Sequence, residues 1–261
     1  MDILLNGEPL NVTLEQEKTF GDVLCALEEW LHNAHLFIIT ITVNGTQLTD
    51  GLDQWKNMDV KDIHILDLKV QPWSLLTVEA LYRAKGYIED YSAGKTTQEA
   101  WENSATRQFL AEQIPSIIKA MTGMFKGNQA SDTVVQSIER MLREILEPEA
   151  EILSMEPHIH SLVKQLEDLP LFMQLGKNSE VTETVTSFAQ TAETLFHVTR
   201  SLQDRGLSID ESLVDRFKTT LVDFFNAYNN SDIVLVGDLA EYELSPLLSQ
   251  WHSMLKHTTN T

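Results

Sequence analysis

The chain has 261 residues and a formal net charge of −20 at pH 7, with 43% hydrophobic and 22% charged residues. This balance predicts a packed core and excludes a disordered chain. Acidic residues outnumber basic residues 39 to 19. The excess argues against binding to nucleic acids and to anionic membranes, because both need clustered Lys and Arg. A partner protein with a basic surface is compatible with it.

The first residues, Met1 to Glu8, lack the basic start and apolar stretch of a signal peptide, and no segment has the roughly 20 apolar residues needed to cross a bilayer. We therefore expect a cytoplasmic protein. Cys25 is the single cysteine, which excludes an internal disulfide or a multi-cysteine zinc site within one chain. Because Cys25 lies among apolar residues in a helical pattern, it is predicted to fill the core.

The first 70 residues predict strands around one helix, in the order ββαββ. Asn6-Gly7 is a strong hairpin turn, and the alternation of Leu10, Val12 and Leu14 with polar residues is typical of a half-buried strand. Thr19 and Asp22 form a capping-box-like pair at the start of a helix. The apolar face of that helix is predicted to contain Val23, Leu27, Trp30 and Leu31.

A second β segment follows this helix. Alternation places Phe37, Ile39, Ile41 and Val43 on one predicted face of a strand that ends at Asn44-Gly45. A last strand is predicted near residues 62–68, where Ile63 and Ile65 alternate with His64 and Leu66.

The stretch from Val43 to Gly51, followed by the strand Asp62 to Leu68, resembles the second half of ubiquitin and its β-grasp relatives. The resemblance implies a ubiquitin-like β-grasp domain over residues 1–72. It also implies an interaction patch at Thr42, His64 and Leu66. Ubiquitin and the sulfur carriers react through a C-terminal Gly-Gly tail, whereas here the strand continues into Gln71-Pro72. Conjugation and sulfur transfer are therefore not expected.

Pro72 marks the predicted boundary, since proline cannot donate to a strand ladder. Residues 73–261 are predicted to form an all-helical domain, so the expected fold class is α+β. Gly94, Gly127 and Gly206 are predicted helix stops, and Thr96 with Glu99 and Ser208 with Glu211 are predicted capping boxes. The predicted helices span about 75–92, 97–126, 132–146, 148–168, 180–204, 209–228 and 232–257.

Three apolar stripes with spacings of three and four lie in the last three predicted helices. They predict an intramolecular helical bundle; the alternative is a seam that pairs two copies of the chain. The stripes are Val181, Val185, Phe188, Ala192, Leu195, Thr199 and Leu202; Val214, Phe217, Leu221, Phe224 and Tyr228; and Val236, Ala240, Leu244, Leu247, Trp251 and Leu255.

Ala93-Gly94-Lys95-Thr96 imitates the end of a nucleotide-binding P-loop. That motif needs a Gly or Ala five residues before its second glycine, but position 89 is Glu, and the preceding segment is a predicted helix instead of a strand. The pattern instead indicates a helix stop followed by a new helix cap.

Glu156, His158 and His160, with Glu149 and Glu151 upstream, are the best candidate metal ligands. On a helix Glu156 and His160 share one face, whereas His158 does not join them, and Pro157 disturbs the geometry. Solvated residues at a helix break are the preferred interpretation. No metal and no cofactor are predicted.

Asp238 and Glu241 follow the apolar run Ile233 to Val236, close to the third stripe. Carboxylates in this position could form an acid/base pair, but no nucleophile accompanies them. Pairing with Arg140, Arg143, Arg200 or Arg216, or recognition of an arginine on a partner, is the preferred interpretation.

The expected function is a non-catalytic protein-interaction adaptor or scaffold, in which Thr42, His64, Leu66, Asp238 and Glu241 are the candidate interaction residues. Two alternatives stay open. One is a metal-binding or hydrolytic enzyme with its site in the helical domain; the other is a self-assembling structural protein, such as a homodimer.

Overall fold

A computed structural model describes residues 1–12, 17–34, 36–48 and 55–259. Its internal contacts divide the chain into two compact units, residues 1–79 and residues 80–261. The first unit contains a mixed sheet and a helix, and the second is helical, so the α+β class is confirmed. In the described ranges, no helix is both long and apolar enough to cross a membrane.

The sheet has five strands in the order β2-β1-β5-β3-β4. The central pair, β1 and β5, is parallel, and the other three pairs are antiparallel. One apolar layer lies between the sheet and helix α1. The strands are β1 Asp2–Leu5, β2 Glu8–Pro9, β3 Leu36–Val43, β4 Thr46–Gln47 and β5 Ile65–Pro72, and α1 spans Phe20–Asn33.

Two Asn-Gly turns close the two hairpins, as predicted. Asn6 and Gly7 have φ of 52° and 83°, and Asn44 and Gly45 have φ of 50° and 84°. Positive φ at both central residues defines the turn that matches the twist of paired strands. The Asn44 side chain also accepts hydrogen bonds from the backbone N–H groups of His64 and Ile65, which fixes the start of β5.

A β-bulge in β3 changes the predicted faces of that strand. Ile38 pairs with Val70 and Thr40 pairs with Lys69, so Ile39 is an extra residue with no partner on β5. The bulge reverses the alternation: Ile41 and Val43 are buried as predicted, whereas Ile39 is 46% exposed. The prediction that Ile39 shares the core face is therefore wrong.

The neighbouring strands also depart from simple alternation. Strand β2 has only two residues, and Val12 is exposed. The predicted strand is therefore not formed at Leu10 and Val12. Its third predicted residue, Leu14, lies outside the described residues. Before β5, a short 3₁₀ turn at Val60–Asp62 precedes buried Ile63, and Ile65 is then exposed. The buried face of β5 contains Leu66, Leu68 and Val70.

Helix α1 begins with the predicted reciprocal cap. The Asp22 carboxylate accepts from the N–H of Thr19, and the Thr19 hydroxyl accepts from the N–H of Asp22. Two predictions for this helix are wrong: Trp30 is 44% exposed, and Cys25 is exposed instead of filling the core. Compared with the prediction, the buried stripe gains Phe20 and Leu24 and loses Trp30. It consists of Phe20, Val23, Leu24, Leu27 and Leu31.

Helix α2 begins at Trp73, directly after β5. The later helices are α3 Gln98–Glu102, α4 Ala105–Gln113, α5 Pro115–Phe125, α6 Ser131–Leu146, α7 Pro148–Gln174, α8 Asn178–Asp204, α9 Glu211–Asn229, α10 Ile233–Asp238 and α11 Ser245–Thr259, and α2 itself spans Trp73–Ser92. Gly94, Gly127 and Gly206 all have positive φ after a helix end, as predicted for helix stops.

The single helix predicted over 97–126 is three helices. Side-chain caps at Thr97 and Ser104 and the proline at the start of α5 restart the helix each time. The caps predicted at Thr96 and Ser208 are displaced, because Thr97 and Asp210 accept the capping hydrogen bonds. The Lys95 N–H donates to the Asp90 carbonyl, which confirms a helix stop at the P-loop-like sequence.

The main core of the second unit lies among α7, α8, α9 and α11. Phe188 contacts Phe224 with 5.7 Å between ring centroids, and Phe196 contacts Phe217 at 6.1 Å. Increasing residue numbers in α8 thus meet decreasing numbers in α9, which makes these helices antiparallel. All seven residues of the Val181 to Leu202 stripe are buried inside this bundle.

Candidate functional site

The three candidate interaction residues of the N-terminal unit do not form one patch. Val43 pairs with Leu66 and Thr42 pairs with Asp67 in adjacent antiparallel strands. Leu66 therefore shares the core face with Val43, where it is fully buried, and Thr42 lies half-buried on the opposite face. His64 is exposed before β5 begins. Leu66 is consequently wrong as a docking residue, because its side chain is inaccessible to a partner.

The candidate metal ligands on α7 separate to two sides of the helix. Glu156 accepts a hydrogen bond from Lys256 Nζ at 2.6 Å, and His160 lines a cavity with both residues of that ion pair. His158 instead lies 2.9 Å from the Thr191 hydroxyl of α8. Helix α7 continues through Pro157, so the predicted break is absent. In the part of the chain that the structure describes, no three His, Cys, Asp or Glu residues converge as metal ligands.

His158 Nε2 also faces two hydroxyl groups of α8. It lies 2.9 Å from Thr191 Oγ1 and 3.4 Å from Ser187 Oγ, and the Thr191 hydroxyl also donates to the Ser187 carbonyl. These contacts hold the His158 ring between α7 and α8.

Helix α10 exposes three consecutive aliphatic side chains. Ile233, Val234 and Leu235 are 50%, 74% and 43% exposed, whereas Val236 is fully buried. Among the large apolar side chains that the structure describes, this is the only exposed run of consecutive residues. The Asp232 side chain caps the helix by accepting from the N–H of Leu235, which places a carboxylate beside the run.

Helix α10 packs against the C-terminal part of α7, where a further pair of leucines is exposed. A β-carbon on Gly237 would lie 3.1 Å from Pro170, so glycine permits this close approach. Leu171, directly after Pro170, is 51% exposed, and Leu175 one turn later is 60% exposed. We call the exposed side chains of Leu171, Leu175, Ile233, Val234 and Leu235 the apolar end surface.

A π-helical segment, Leu239–Leu244, continues directly from α10. Asp238 and Tyr242 are exposed and Glu241 is half-buried, and within the described chain neither Asp238 nor Glu241 has an arginine partner. A hydrogen bond to Glu241 raises the pKa of Tyr242. Arg216, one of the predicted partners, pairs instead with Glu243 at 2.8 Å. Asp238 and Glu241 are thus carboxylates beside the apolar end surface, with no cation to neutralise them.

A buried polar network joins α6 to α8, and the sequence analysis missed it. His197 Nδ1 lies 2.7 Å from Glu144 Oε2, and the Thr194 hydroxyl donates to Glu144 Oε1 at 2.8 Å. Burial acts to raise the pKa of Glu144, but His197, Thr194 and Arg140 favour the charged carboxylate, and its pKa is lowered overall. The available signal was the spacing, since Glu144 follows Met141 by three residues on the buried stripe of α6.

Two family models match parts of the chain. Residues 1–72 match the TP0873 N-terminal domain, and residues 150–254 match a domain of unknown function, DUF8042. The first match ends at the last residue of β5, and the second covers most of the bundle formed by α7 to α11. No curated protein and no solved structure matches the chain. The chain is therefore similar to two families whose descriptions name no activity.

The geometry gives the second unit two distinct features. One is the apolar end surface with its carboxylates at the exposed end of α10. The other is the polar network between α6 and α8, which is held by internal hydrogen bonds. The first feature is exposed to solvent, and the second is buried within the unit.

Proposed function

We propose that the protein is a non-catalytic adaptor that binds a basic amphipathic segment of another protein at the apolar end surface. The exposed run Ile233 to Leu235 is the observation that carries this proposal. Exposed contiguous apolar side chains with a polar rim are typical of protein–protein contacts. Burying the run against a partner removes this apolar area from water, which is favourable by roughly 25 cal/mol per Å².

The negative charges beside the apolar end surface favour a partner with basic side chains. Asp232, Asp238 and Glu241 lie beside or directly after the exposed run, in a chain of net charge −20. Carboxylates without a cationic partner attract Lys and Arg, and complementary charges increase association rates and suppress wrong partners. An amphipathic helix with leucines on one face and lysines or arginines beside them fits both properties.

Self-association is the competing explanation for an exposed apolar surface. The stripe from Val181 to Leu202, which the sequence offered as a seam between two copies, is buried within the chain. It is therefore unavailable to a second copy without opening the bundle. Two copies would also bring the same carboxylates together at the apolar end surface, which is unfavourable.

A direct binding measurement tests the proposal. The probe is a labelled helical peptide of about 18 residues, five turns, built from Leu and Lys in an amphipathic pattern. Fluorescence anisotropy with the full chain is expected to show binding that weakens with salt, because screening reduces the attraction. The Leu/Glu counterpart of the peptide is expected not to bind.

Matched variants locate the binding site. Val234→Asp is expected to weaken peptide binding at least about tenfold, as for a central contact residue, while Leu153→Asp on the first half of α7, where Leu153 is 54% exposed, leaves it unchanged. The pair Asp238→Asn and Glu241→Gln is expected to reduce the salt dependence. If the peptide still binds the Val234→Asp variant, the binding site is not at the apolar end surface. If light scattering shows twice the mass of one chain and Val234→Asp abolishes this doubling, the surface binds a second copy of the chain.

We further propose that the N-terminal unit is a ubiquitin-like β-grasp fold. The sheet order β2-β1-β5-β3-β4, the parallel central pair and helix α1 packed on one face support it. Superposition of an experimentally determined structure on ubiquitin tests this assignment, and a different strand order overturns it.

A second docking surface around Thr42 and His64 stays a prediction. A cytoplasmic location belongs to the same proposal, and cell fractionation with an antibody tests it.

A further inference from the structure

An open cavity of about 260 Å³ lies among α6, α7 and α8. A water molecule occupies about 30 Å³ of liquid volume, so the cavity has room for a small organic molecule. Its lining is polar except for one methionine. The lining residues that matter here are Arg140 from α6, Glu151 and His158 from α7, and Thr191 and Thr194 from α8.

The base of this cavity is rigid. Thr194 lines the cavity and donates to Glu144, whose second carboxylate oxygen is held by His197. Both oxygens of Glu144 are therefore engaged within the protein, and the residue is 1% exposed. Thr191 is also held in place, because its hydroxyl donates to the Ser187 carbonyl and lies 2.9 Å from His158 Nε2. These hydrogen bonds orient the wall without occupying the cavity.

Arg140 supplies the positive side of the cavity. Its Nε is buried and has no hydrogen-bond acceptor, although Glu144 Oε1 lies 3.4 Å away in a poorly directed ion pair. A guanidinium group has five N–H donors in a planar fork that matches a carboxylate. Nε is too deeply buried for a ligand to reach, so a ligand oxygen would contact the terminal nitrogens of the Arg140 side chain, which is 36% exposed.

Glu151 supplies the negative side. Its carboxylate is half-buried and accepts no hydrogen bond from the residues that the structure describes. Burial and the charge of Glu144 raise the pKa of Glu151, whereas the charges of Arg143 and Arg140 act in the opposite direction. Glu151 and Arg140 line the same cavity but are farther apart than the 4.0 Å of an ion pair. A positive and a negative group thus line one cavity without a direct ion pair between them.

We propose that this cavity binds a small zwitterion of the α-amino-acid class, with the ligand carboxylate on Arg140 and the ligand ammonium on Glu151. A molecule that carries both charges a few bonds apart satisfies both groups at once, whereas a simple anion would be repelled by Glu151. Thr191, Thr194 and His158 supply further polar side chains of the wall. This site is independent of the apolar end surface and goes beyond the adaptor proposal.

Thermal denaturation of the full chain with each of the twenty free α-amino acids at millimolar concentration tests the site, followed by calorimetry on those that raise Tm. At least one amino acid is expected to stabilise the wild type, since a ligand that binds only the folded state raises Tm. Acetate and methylammonium, each carrying one of the two charges, are expected to give much smaller shifts at the same concentration.

Three variants decide the geometry. Arg140→Gln and Glu151→Gln are each expected to weaken binding at least about tenfold, the loss that follows removal of a charged hydrogen-bonding partner. Lys164→Gln is the control, because Lys164 is exposed on α7 and does not line the cavity. Circular dichroism establishes that each variant is folded before binding is measured. The proposal is overturned if no amino acid shifts Tm, if acetate alone is as effective, or if Arg140→Gln and Lys164→Gln bind equally.

Discussion

His197 Nδ1 and Glu144 Oε2 lie 2.7 Å apart, with both side chains almost completely buried, and they join α6 to α8 inside the helical unit. Replacing Glu144 by Gln keeps the size of the side chain but removes its charge. We expect the free energy of unfolding to fall by about 1–3 kcal/mol, because buried polar partners lose a charged acceptor. Urea unfolding followed by circular dichroism measures the change.

Glu139→Gln is the control for that substitution. Glu139 lies on the same helix and pairs with Lys85, but its side chain is 44% exposed, in contrast to the almost completely buried Glu144. Its removal is expected to change stability little, because exposed ion pairs contribute little. Equal losses for the two variants would contradict a special role for the buried network.

Glu144 also predicts how stability depends on pH. Its pKa in the folded chain lies below the ordinary value of 4.5, so its contribution is fully present above pH 4.5 and is lost as pH falls through the lower folded value. Urea unfolding between pH 7 and pH 3 is expected to show a stability advantage of the wild type over Glu144→Gln that shrinks below about pH 4.5. A constant advantage over this range would show that the charge of Glu144 does not carry it.

Because of the bulge in β3, Ile39 is exposed whereas Ile41 is buried. Ile39→Thr is expected to change the free energy of unfolding by less than about 0.5 kcal/mol, because Ile39 is 46% exposed. Ile41→Thr is expected to cost about 2 kcal/mol, since Ile41 is buried and loses apolar contacts. Chemical unfolding of the N-terminal unit in the full chain compares them. Equal losses for the two variants would contradict the bulge, because simple alternation places Ile39 and Ile41 on the same face.

Gly86 and Gly206 in the helical unit allow the effect of backbone conformation on stability to be measured apart from the effect of side-chain packing. A β-carbon on Gly86 or on Gly206 would contact nothing within 4 Å, but Gly206 has φ of +82° and Gly86 lies in α2. Gly206→Ala is expected to destabilise by about 1 kcal/mol, because alanine is strained at positive φ. Gly86→Ala is expected to stabilise by about 0.5–1 kcal/mol through helix propensity. Thermal unfolding measures both, and stabilisation by Gly206→Ala would contradict the described turn.

Local signals predicted most of the fold. The Asn-Gly turns, the Thr19–Asp22 cap and the three apolar stripes depend on residues close in sequence, so their structures follow from short-range sterics and periodicity. The bulge at Ile39 could not be predicted in this way, because an extra residue in β3 is defined only by its pairing with β5. Trp30 and Cys25 were misplaced for a related reason: the width of the stripe that a helix buries depends on the sheet beneath it.

The candidate sites were less predictable. The predicted pairing of Asp238 or Glu241 with an arginine of the bundle is not formed among the described residues, and the predicted partner Arg216 binds Glu243 instead. The resemblance to ubiquitin placed Leu66 in an interaction patch, but the register of β5 buries its side chain. The Glu144 network and the opposed charges of Arg140 and Glu151 join residues on three helices. Such convergence is set by helix packing and leaves no local pattern in the sequence.

The π-helical segment Leu239–Leu244 holds more residues per turn than the helices on either side. Val236 before this segment, and Trp251 and Leu255 after it, are all fully buried in the same core. The wider turn therefore holds one more residue than an ordinary helical turn while the residues on both sides stay in that core. Deleting one residue here, such as exposed Tyr242, would let the chain run as an ordinary helix. Shortening the chain at this point is thus expected to leave the core on both sides in place.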